Sequence, residues 1–136
     1  MGLVTVDMIF VDTDILIDVM RGVSRVGQLL DRIASSETLA MCIVTQMELI
    51  VGCRNKIELA GLADFFDAFE TIALNEASLR RAVVLLEEFR LSHGLLMADA
   101  LIAATVLTSE SSLLTRNTRH FSFRPGIQLV PDKLEQ

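Results

Sequence analysis

The sequence contains few of the residues on which several classes of protein depend. It has no tryptophan or tyrosine, two prolines, two histidines and two cysteines among its 136 residues. Cys42 and Cys53 are too far apart for a zinc-binding pair, and both are predicted to be core residues in a reducing compartment. The chain shows neither an apolar run long enough for a membrane span nor the basic start of a signal peptide. We therefore expect a cytoplasmic protein that does not enter a membrane.

Positive charge is also scarce, and the formal net charge is −6. This balance argues against broad, non-specific coating of nucleic acid, although it leaves room for a local basic patch. Hydrophobic residues make up 51% of the chain, which is enough for a core that folds unaided. Because no repeat, low-complexity stretch or Pro/Gly-rich linker interrupts the chain, residues 1–136 are predicted to form one domain.

Short apolar segments alternate with segments of helical periodicity. This alternation predicts an α/β fold with a parallel sheet that helices cover on both faces. The predicted strands are Met8–Val11, Leu39–Val44, Thr71–Leu74, Ser112–Leu114 and Gln128–Val130. The predicted helices run from Thr13 or Asp14 to about Arg21, and over Ser24–Ala34, Thr45–Gly52, Ile57–Phe69, Glu76–Ser92 and Met97–Leu107.

Polar side chains follow the ends of these strands. Asp12 comes directly after "IFV", Glu48 and Asn117 come after later strands, and Asp99 opens an otherwise apolar helix. The carboxyl ends of parallel strands meet at one edge of the sheet, so these residues are expected to lie together. Like charges about 4 Å apart repel by about 4 kcal/mol at an effective dielectric of 20. A cluster of three carboxylates therefore predicts a cation, and oxygen ligands alone favour Mg²⁺ or Mn²⁺.

Most of these residues also have an ordinary structural explanation. Glu48 and Thr45 form the pattern of a capping box, and Asp14 can cap the first helix. Asp12 can be a loop acid or a cap, Asp18 is predicted to lie on a solvated face, and Asn117 suits a turn. Asp99, in the first turn of its helix, is favoured by the helix dipole, but a charge on so apolar a helix also needs a partner.

Four segments, taken in order, resemble the signature blocks of a known family. "VDTDILID", "TQMELIVG", "MADALIAA" and "LLTRNTRHF" are similar to the blocks of the PIN domain, above all in the VapC-type toxins. The resemblance covers nearly the whole chain. It implies a three-layer α/β/α fold with a central parallel sheet and a Mg²⁺- or Mn²⁺-dependent endoribonuclease. It also implies an RNA substrate, a VapB-like antitoxin as partner, and a homodimer.

The resemblance assigns roles to individual residues. The catalytic positions fall on Asp12, Glu48, Asp99 and Asn117, and the metal ligands are Asp12 and Asp99. Asn117 stands where the family often has aspartate, which leaves open whether one metal or two are bound. Thr13 and Thr115 match hydroxyl positions near the family site.

The segment "TRNTRHFSFR" supplies candidate contacts to RNA. Arg116 and Arg119 can hold phosphates, together with Thr115, and Phe121 and Phe123 can stack on bases. The alternative is that these phenylalanines are core residues. Neither histidine lies in a plausible catalytic place, so a metal-free mechanism based on histidine is not expected.

Two other functions fit parts of the sequence. "FVDTDIL" resembles the first motif of haloacid-dehalogenase-like phosphatases, in which Asp12 would be the nucleophile. That family needs a well-placed lysine, whereas this chain has only Lys56 and Lys133. A PIN-like domain that binds without catalysis is the non-enzymatic alternative, and Asn117 is the one residue that favours it.

Overall fold

The computed structural model describes residues 8–116, 121 and 128–130. Its strands are β1 (Met8–Val11), β2 (Thr38–Cys42), β3 (Glu70–Ile72), β4 (Ser112–Leu114) and β5 (Gln128–Val130). Its helices are α1 (Thr13–Met20), α2 (Ser24–Ala34), α3 (Ile43–Val51), α4 (Lys56–Phe66), α5 (Glu76–His93) and α6 (Met97–Thr108). None of the helices in these ranges is long and apolar enough to cross a bilayer.

The five strands form one parallel sheet in the order β3-β2-β1-β4-β5. In the centre, Phe10 pairs with Ala40 of β2 and with Leu113 of β4. The chain passes from β1 to β2 and β3 on one side of the sheet, and then returns to form β4 and β5 on the other side of β1. This reversal places a topological switch point between β1 and β4, where α/β proteins bind ligands.

Successive residues of each strand point into two separate cores, one on each face of the sheet. Phe10, Ala40 and Leu113 pack against α5 and α6. Val11 and Met41 point the other way and pack under α1, α2, α3 and α4. Both sheet faces are therefore apolar, as in parallel sheets generally. The predicted three-layer α/β/α fold is confirmed.

The second strand is shorter than predicted, and this changes the start of the next helix. β2 ends at Cys42, and Ile43 and Val44 already belong to α3. The preference of β-branched residues for strands is weak, and tertiary packing can override it. Here Val44 is part of the helix and is buried in the core that also contains residues of α6. Thr45 consequently lies inside α3 and not at its cap.

Helix α5 exposes several of its apolar side chains. Its buried residues are Ser78, Ala82 and Leu85, whereas Leu79 and Val83 are 45% and 57% exposed. Periodicity marks the positions that share a face, but it cannot tell which of two apolar stripes meets the core.

Candidate active site

Asp12 lies at the switch point, directly after the last residue of β1. Its backbone N–H donates to the carbonyl of Leu114, at the end of β4, over 2.9 Å. Thr115 follows Leu114 and is completely buried. The ends of two adjacent parallel strands thus place these two side chains together.

The Asp12 carboxylate is held by one hydrogen bond to each oxygen. The backbone N–H of Thr13 donates to Oδ1 over 2.9 Å, and the Thr115 hydroxyl donates to Oδ2 over 2.7 Å. Asp12 is the N-cap of α1, which the sequence left open as one explanation of this residue, and the predicted capping by Thr13 or Asp14 is wrong. The helix begins at Thr13 because the Asp12 carboxylate, on extended backbone, can accept from the first free amide.

Asp12 carries an unfavourable charge at neutral pH. The pKa of its carboxyl is raised to about 6, and the largest cause is burial, since only 6% of the residue is exposed. The charges of Asp14 and Asp99 contribute to the rise, and the hydrogen bonds from Thr115 and Thr13 oppose it. A cation at this place would relieve both desolvation and repulsion, so the residues fit a divalent metal ion.

Asp99 stands in the first turn of α6, as predicted, and is half-buried. The first backbone amides of that helix carry partial positive charge, which stabilises an acid there. Leu96, the N-cap residue, gives no side-chain hydrogen bond to these amides. Asp99 and Asp12 interact electrostatically across the site, although they come from different helices and lie far apart in sequence.

Glu48 has a different partner from the one that the sequence predicted. The capping box with Thr45 is wrong, because α3 begins at Ile43 and Cys42 is its N-cap. Instead, the hydroxyl of Thr13 donates to Oε1 of Glu48 over 2.7 Å. Glu48 is therefore linked to the Asp12 side of the site through a contact between residues on different helices.

Asp18 and Arg116 form an ion pair that the sequence did not suggest. The Asp18 side chain is only 17% exposed, so the predicted solvated position is wrong. The charge of Arg116 also lowers the pKa of Asp14, against a larger upward effect of burial. Arg116, predicted to bind RNA phosphate, thus lies among the acids of α1. A pair between residues nearly a hundred positions apart leaves no local signal in one sequence.

The remaining predicted contacts divide into two groups. Asn117 and Arg119 lie outside the described residues, as does Phe123. Phe121 is 1% exposed and belongs to the core beneath α5 and α6, so its predicted stacking on bases is wrong. The buried position was the alternative that the sequence left open.

Among the residues that the structure describes, no three His, Cys, Asp or Glu side chains form a group that could hold a metal ion. Asp12, Glu48 and Asp99 are thus not the preassembled cluster that the sequence predicted. A pair of carboxylates still suits a small hard cation, since Mg²⁺ commonly takes one or two protein ligands and completes its shell with water and phosphate.

A groove of about 670 Å³ opens beside Glu48. Its walls come from α1, α3, α4 and the turn before α4, and are mostly apolar. The lining residues are Ile17, Met20, Arg21, Glu48, Leu49, Gly52, Cys53, Arg54, Ile57, Glu58, Gly61, Leu62 and Phe65. Glu48 therefore borders both the groove and, through Thr13, the buried carboxylate of Asp12.

Comparison with known families decides the class of the fold. Residues 9–124 match the family model described as the PIN domain. The chain belongs to the PIN-domain family. Ribonuclease VapC19 of Mycobacterium tuberculosis is 37% identical over 123 residues, which cover 89% of this chain and 98% of that relative. Ribonuclease VapC10 of the same organism is 34% identical over 84% of this chain and 86% of its own length.

Solved structures of PIN-domain proteins agree in fold. A toxin–antitoxin complex from Klebsiella pneumoniae matches with a TM-score of 0.74 at 30% identity, over 90% of this chain and 95% of that one. VapBC2 from Rickettsia felis, bound to a DNA fragment from its promoter, gives 0.79 at 22% identity over 90% and 97%. PIN-domain ribonucleases are generally dependent on divalent metal. Because the chain belongs to the PIN-domain family, a haloacid-dehalogenase-like phosphatase is excluded as the alternative function.

Proposed function

We propose that this chain is a metal-dependent endoribonuclease and the toxin of a type II toxin–antitoxin pair. The observation that carries the proposal is Asp12, a buried carboxylate at the switch point whose pKa is raised beside two further acids. Strongly perturbed groups of this kind are concentrated at functional sites. The substrate class, RNA, comes from the relatives named as ribonucleases. We take residues 1–136 as one domain that acts in the cytoplasm.

Asp12 and Asp99 are the proposed ligands of Mg²⁺ or Mn²⁺. Both offer hard oxygen atoms, which suit Mg²⁺ or Mn²⁺ better than a softer metal. When bound, the cation supplies an activated water and stabilises charge on the leaving oxygen. Thr13 and Thr115 each hold one oxygen of Asp12, so the carboxylate is fixed before the metal arrives.

The other residues have supporting roles in the proposal. Glu48 orients the attacking water and accepts its proton, since its carboxylate borders the open groove. Thr115 is fully buried and donates to Asp12, so we reassign it from contacting RNA to holding the carboxylate. Arg116 neutralises the acids of α1. Asn117 as the fourth catalytic position and Arg119 as a phosphate contact remain predictions.

Metal removal tests the proposal directly. Purified protein is expected to cleave RNA with Mg²⁺ or Mn²⁺, and to lose this activity at least about 100-fold in excess EDTA, because Asp12 and Asp99 alone cannot activate water. Restoring either ion should restore cleavage. Activity that persists in EDTA would refute the metal-dependent mechanism, and a protein inactive with every divalent ion would favour the non-catalytic binding domain.

The groove beside Glu48 is the proposed docking site of the antitoxin. Its apolar walls suit the apolar face of a helix, and its border with Glu48 lets an arginine from the partner bond a carboxylate. An acidic chain of net charge −6 favours such a basic partner. Leu49 lines the groove, whereas Leu16 on α1 is completely buried in the core and takes no part in it.

The outer face of α5 is the proposed homodimer surface. Leu79 and Val83 lie one helical turn apart and are largely exposed, with Val84 beside them at 49%. A contiguous exposed apolar stripe on a small domain is typical of an interface. This stripe belongs to α5, on the sheet face opposite the groove, so one protein can use both surfaces at once.

Crossed substitutions should separate the two surfaces. Ile57→Glu puts a charge on the groove, where Ile57 is 85% exposed, and should weaken antitoxin binding at least about tenfold while leaving the dimer intact. Val83→Glu should give a monomer in sedimentation and leave antitoxin binding unchanged. Both residues are too exposed for folding to depend on them. Loss of both properties in either variant would contradict the assignment of separate surfaces.

A further inference from the structure

Thr13 bonds two candidate carboxylates through two different groups. Its backbone N–H donates to Oδ1 of Asp12 over 2.9 Å, and its side-chain Oγ1 donates to Oε1 of Glu48 over 2.7 Å. The backbone bond does not depend on the residue type, whereas the second bond needs a hydroxyl. A change of side chain at Thr13 can therefore release Glu48 while Asp12 keeps its amide.

Glu48 has little else to fix its position. It is half-buried on α3, and Oε2 receives no hydrogen bond from the part of the chain that the structure describes. A glutamate side chain has three rotatable bonds, and holding it in one rotamer carries an entropic cost. The Thr13 hydroxyl removes part of that freedom, because it ties one oxygen and leaves the other to accept from water.

We propose that Thr13 is a positioning residue, which holds Glu48 so that Oε2 accepts from the water to be activated. The inference rests on the proposed ribonuclease function and adds to it a coupling between α1 and α3. Thr13 does not touch the reacting atoms in this scheme; it acts through Glu48. Hydroxyl donation occupies Oε1 and leaves Oε2 to accept from water, which is what a general base requires.

A double-mutant cycle tests the coupling. Thr13→Val replaces the hydroxyl by a methyl group of similar shape, and we expect cleavage to fall about 10–100-fold, as when outer-sphere partners are lost from metal sites. Glu48→Gln should reduce cleavage at least as much. The double variant should be no worse than Glu48→Gln alone, because the glutamine that the hydroxyl can still hold has no second oxygen to accept from the water. Thr13→Ser keeps the donor and should recover most of the activity.

Mn²⁺ titration without RNA gives a second readout. Thr13→Val and Glu48→Gln should weaken Mn²⁺ binding by similar factors, and the double variant should bind as weakly as either, since both changes disturb the same carboxylate beside the site. Thr45→Val is the matched control. Thr45 precedes Glu48 by one turn, is fully buried, and its hydroxyl has no partner among the described residues. Its loss should leave cleavage, Mn²⁺ binding and melting temperature unchanged or slightly improved.

The outcomes separate this inference from the proposed function. Wild-type cleavage and Mn²⁺ affinity in Thr13→Val would overturn the positioning role, as would losses that multiply in the double variant. If the wild-type protein cleaves no RNA, the proposed function fails, and the Mn²⁺ cycle alone decides whether Thr13 positions Glu48. Should Thr13→Val not fold, Thr13→Ala replaces it in both measurements.

Discussion

Asp12→Asn is expected to abolish RNA cleavage and, without metal, to make the folded protein more stable at pH 8. The carboxyl has a folded-state pKa of about 6 against an ordinary value of 3.8. Because the folded pKa is raised, the contribution of Asp12 to stability is fully present below about pH 3.8 and is lost as pH rises through 6. Asparagine is neutral at every pH and can still accept from the Thr13 amide as an N-cap.

The size of the effect follows from the shift. A difference of about two pKa units corresponds to about 3 kcal/mol, and the carboxylate is too buried for solvent to reduce this much. In EDTA, Asp12→Asn should therefore exceed the wild type by up to about 3 kcal/mol in free energy of unfolding at pH 8. The two proteins should converge near pH 4.

Chemical denaturation at both pH values provides the measurement. Asp64→Asn is the matched control, since Asp64 is an exposed acid on α4 away from the site, and its difference from the wild type should be small throughout. Added Mn²⁺ should stabilise the wild type and leave Asp12→Asn nearly unchanged, because binding to the folded state alone raises its stability. A variant less stable than the wild type at pH 8 in EDTA would show that Asp12 is not destabilised by its surroundings.

Asp99→Asn is expected to lower cleavage by at least about 100-fold with almost no change in stability. It removes one of the two proposed metal ligands, a larger change than loss of an outer-sphere partner. The neutral side chain forfeits about 0.3–1 kcal/mol of interaction with the positive end of α6. This loss is offset, because the charge of Asp99 no longer opposes ionisation of Asp12.

The pKa of Asp12 distinguishes loss of a metal ligand from a general disruption of the structure. In Asp99→Asn the pKa of Asp12, followed by carboxyl resonances in the absence of metal, should fall below its wild-type value. Calorimetric binding of Mn²⁺ should weaken in parallel with cleavage. Full activity in Asp99→Asn would remove Asp99 from the site, and an unchanged Asp12 pKa would mean that the two carboxylates are not coupled.

The structure gives two of the predicted site residues partners that the sequence did not predict. Glu48 looked like half of a capping box, and its substitution to alanine would then have destabilised α3. Since α3 begins at Ile43 and Glu48 accepts from Thr13, both Glu48→Gln and Glu48→Ala are now expected to preserve the fold. Arg116 looked like a phosphate contact and is paired with Asp18. In each case a local pattern was overridden by a partner from another part of the chain.

The sequence by itself determined the fold class and the edge of the sheet that carries the candidate site. Short apolar segments such as Met8–Val11, which alternate with helical segments, predict strands that are buried on both faces, and parallel strands bring their carboxyl ends together. That logic placed Asp12 at the same sheet edge as the ends of the other strands before any coordinates, and the apolar run after Asp99 required that this acid have a partner. The four ordered blocks of the PIN domain gave the same edge and the same residues.

Tertiary structure alone decided which side chains hold the carboxylates, which apolar faces stay exposed, and how strongly Asp12 is perturbed. The Thr13–Glu48, Thr115–Asp12 and Asp18–Arg116 contacts join residues that are 35, 103 and 98 positions apart. No period or motif in a single sequence encodes such pairs, because they depend on how helices pack across the sheet. Burial, the largest cause of the raised Asp12 pKa, likewise exists only once both layers of helices are in place.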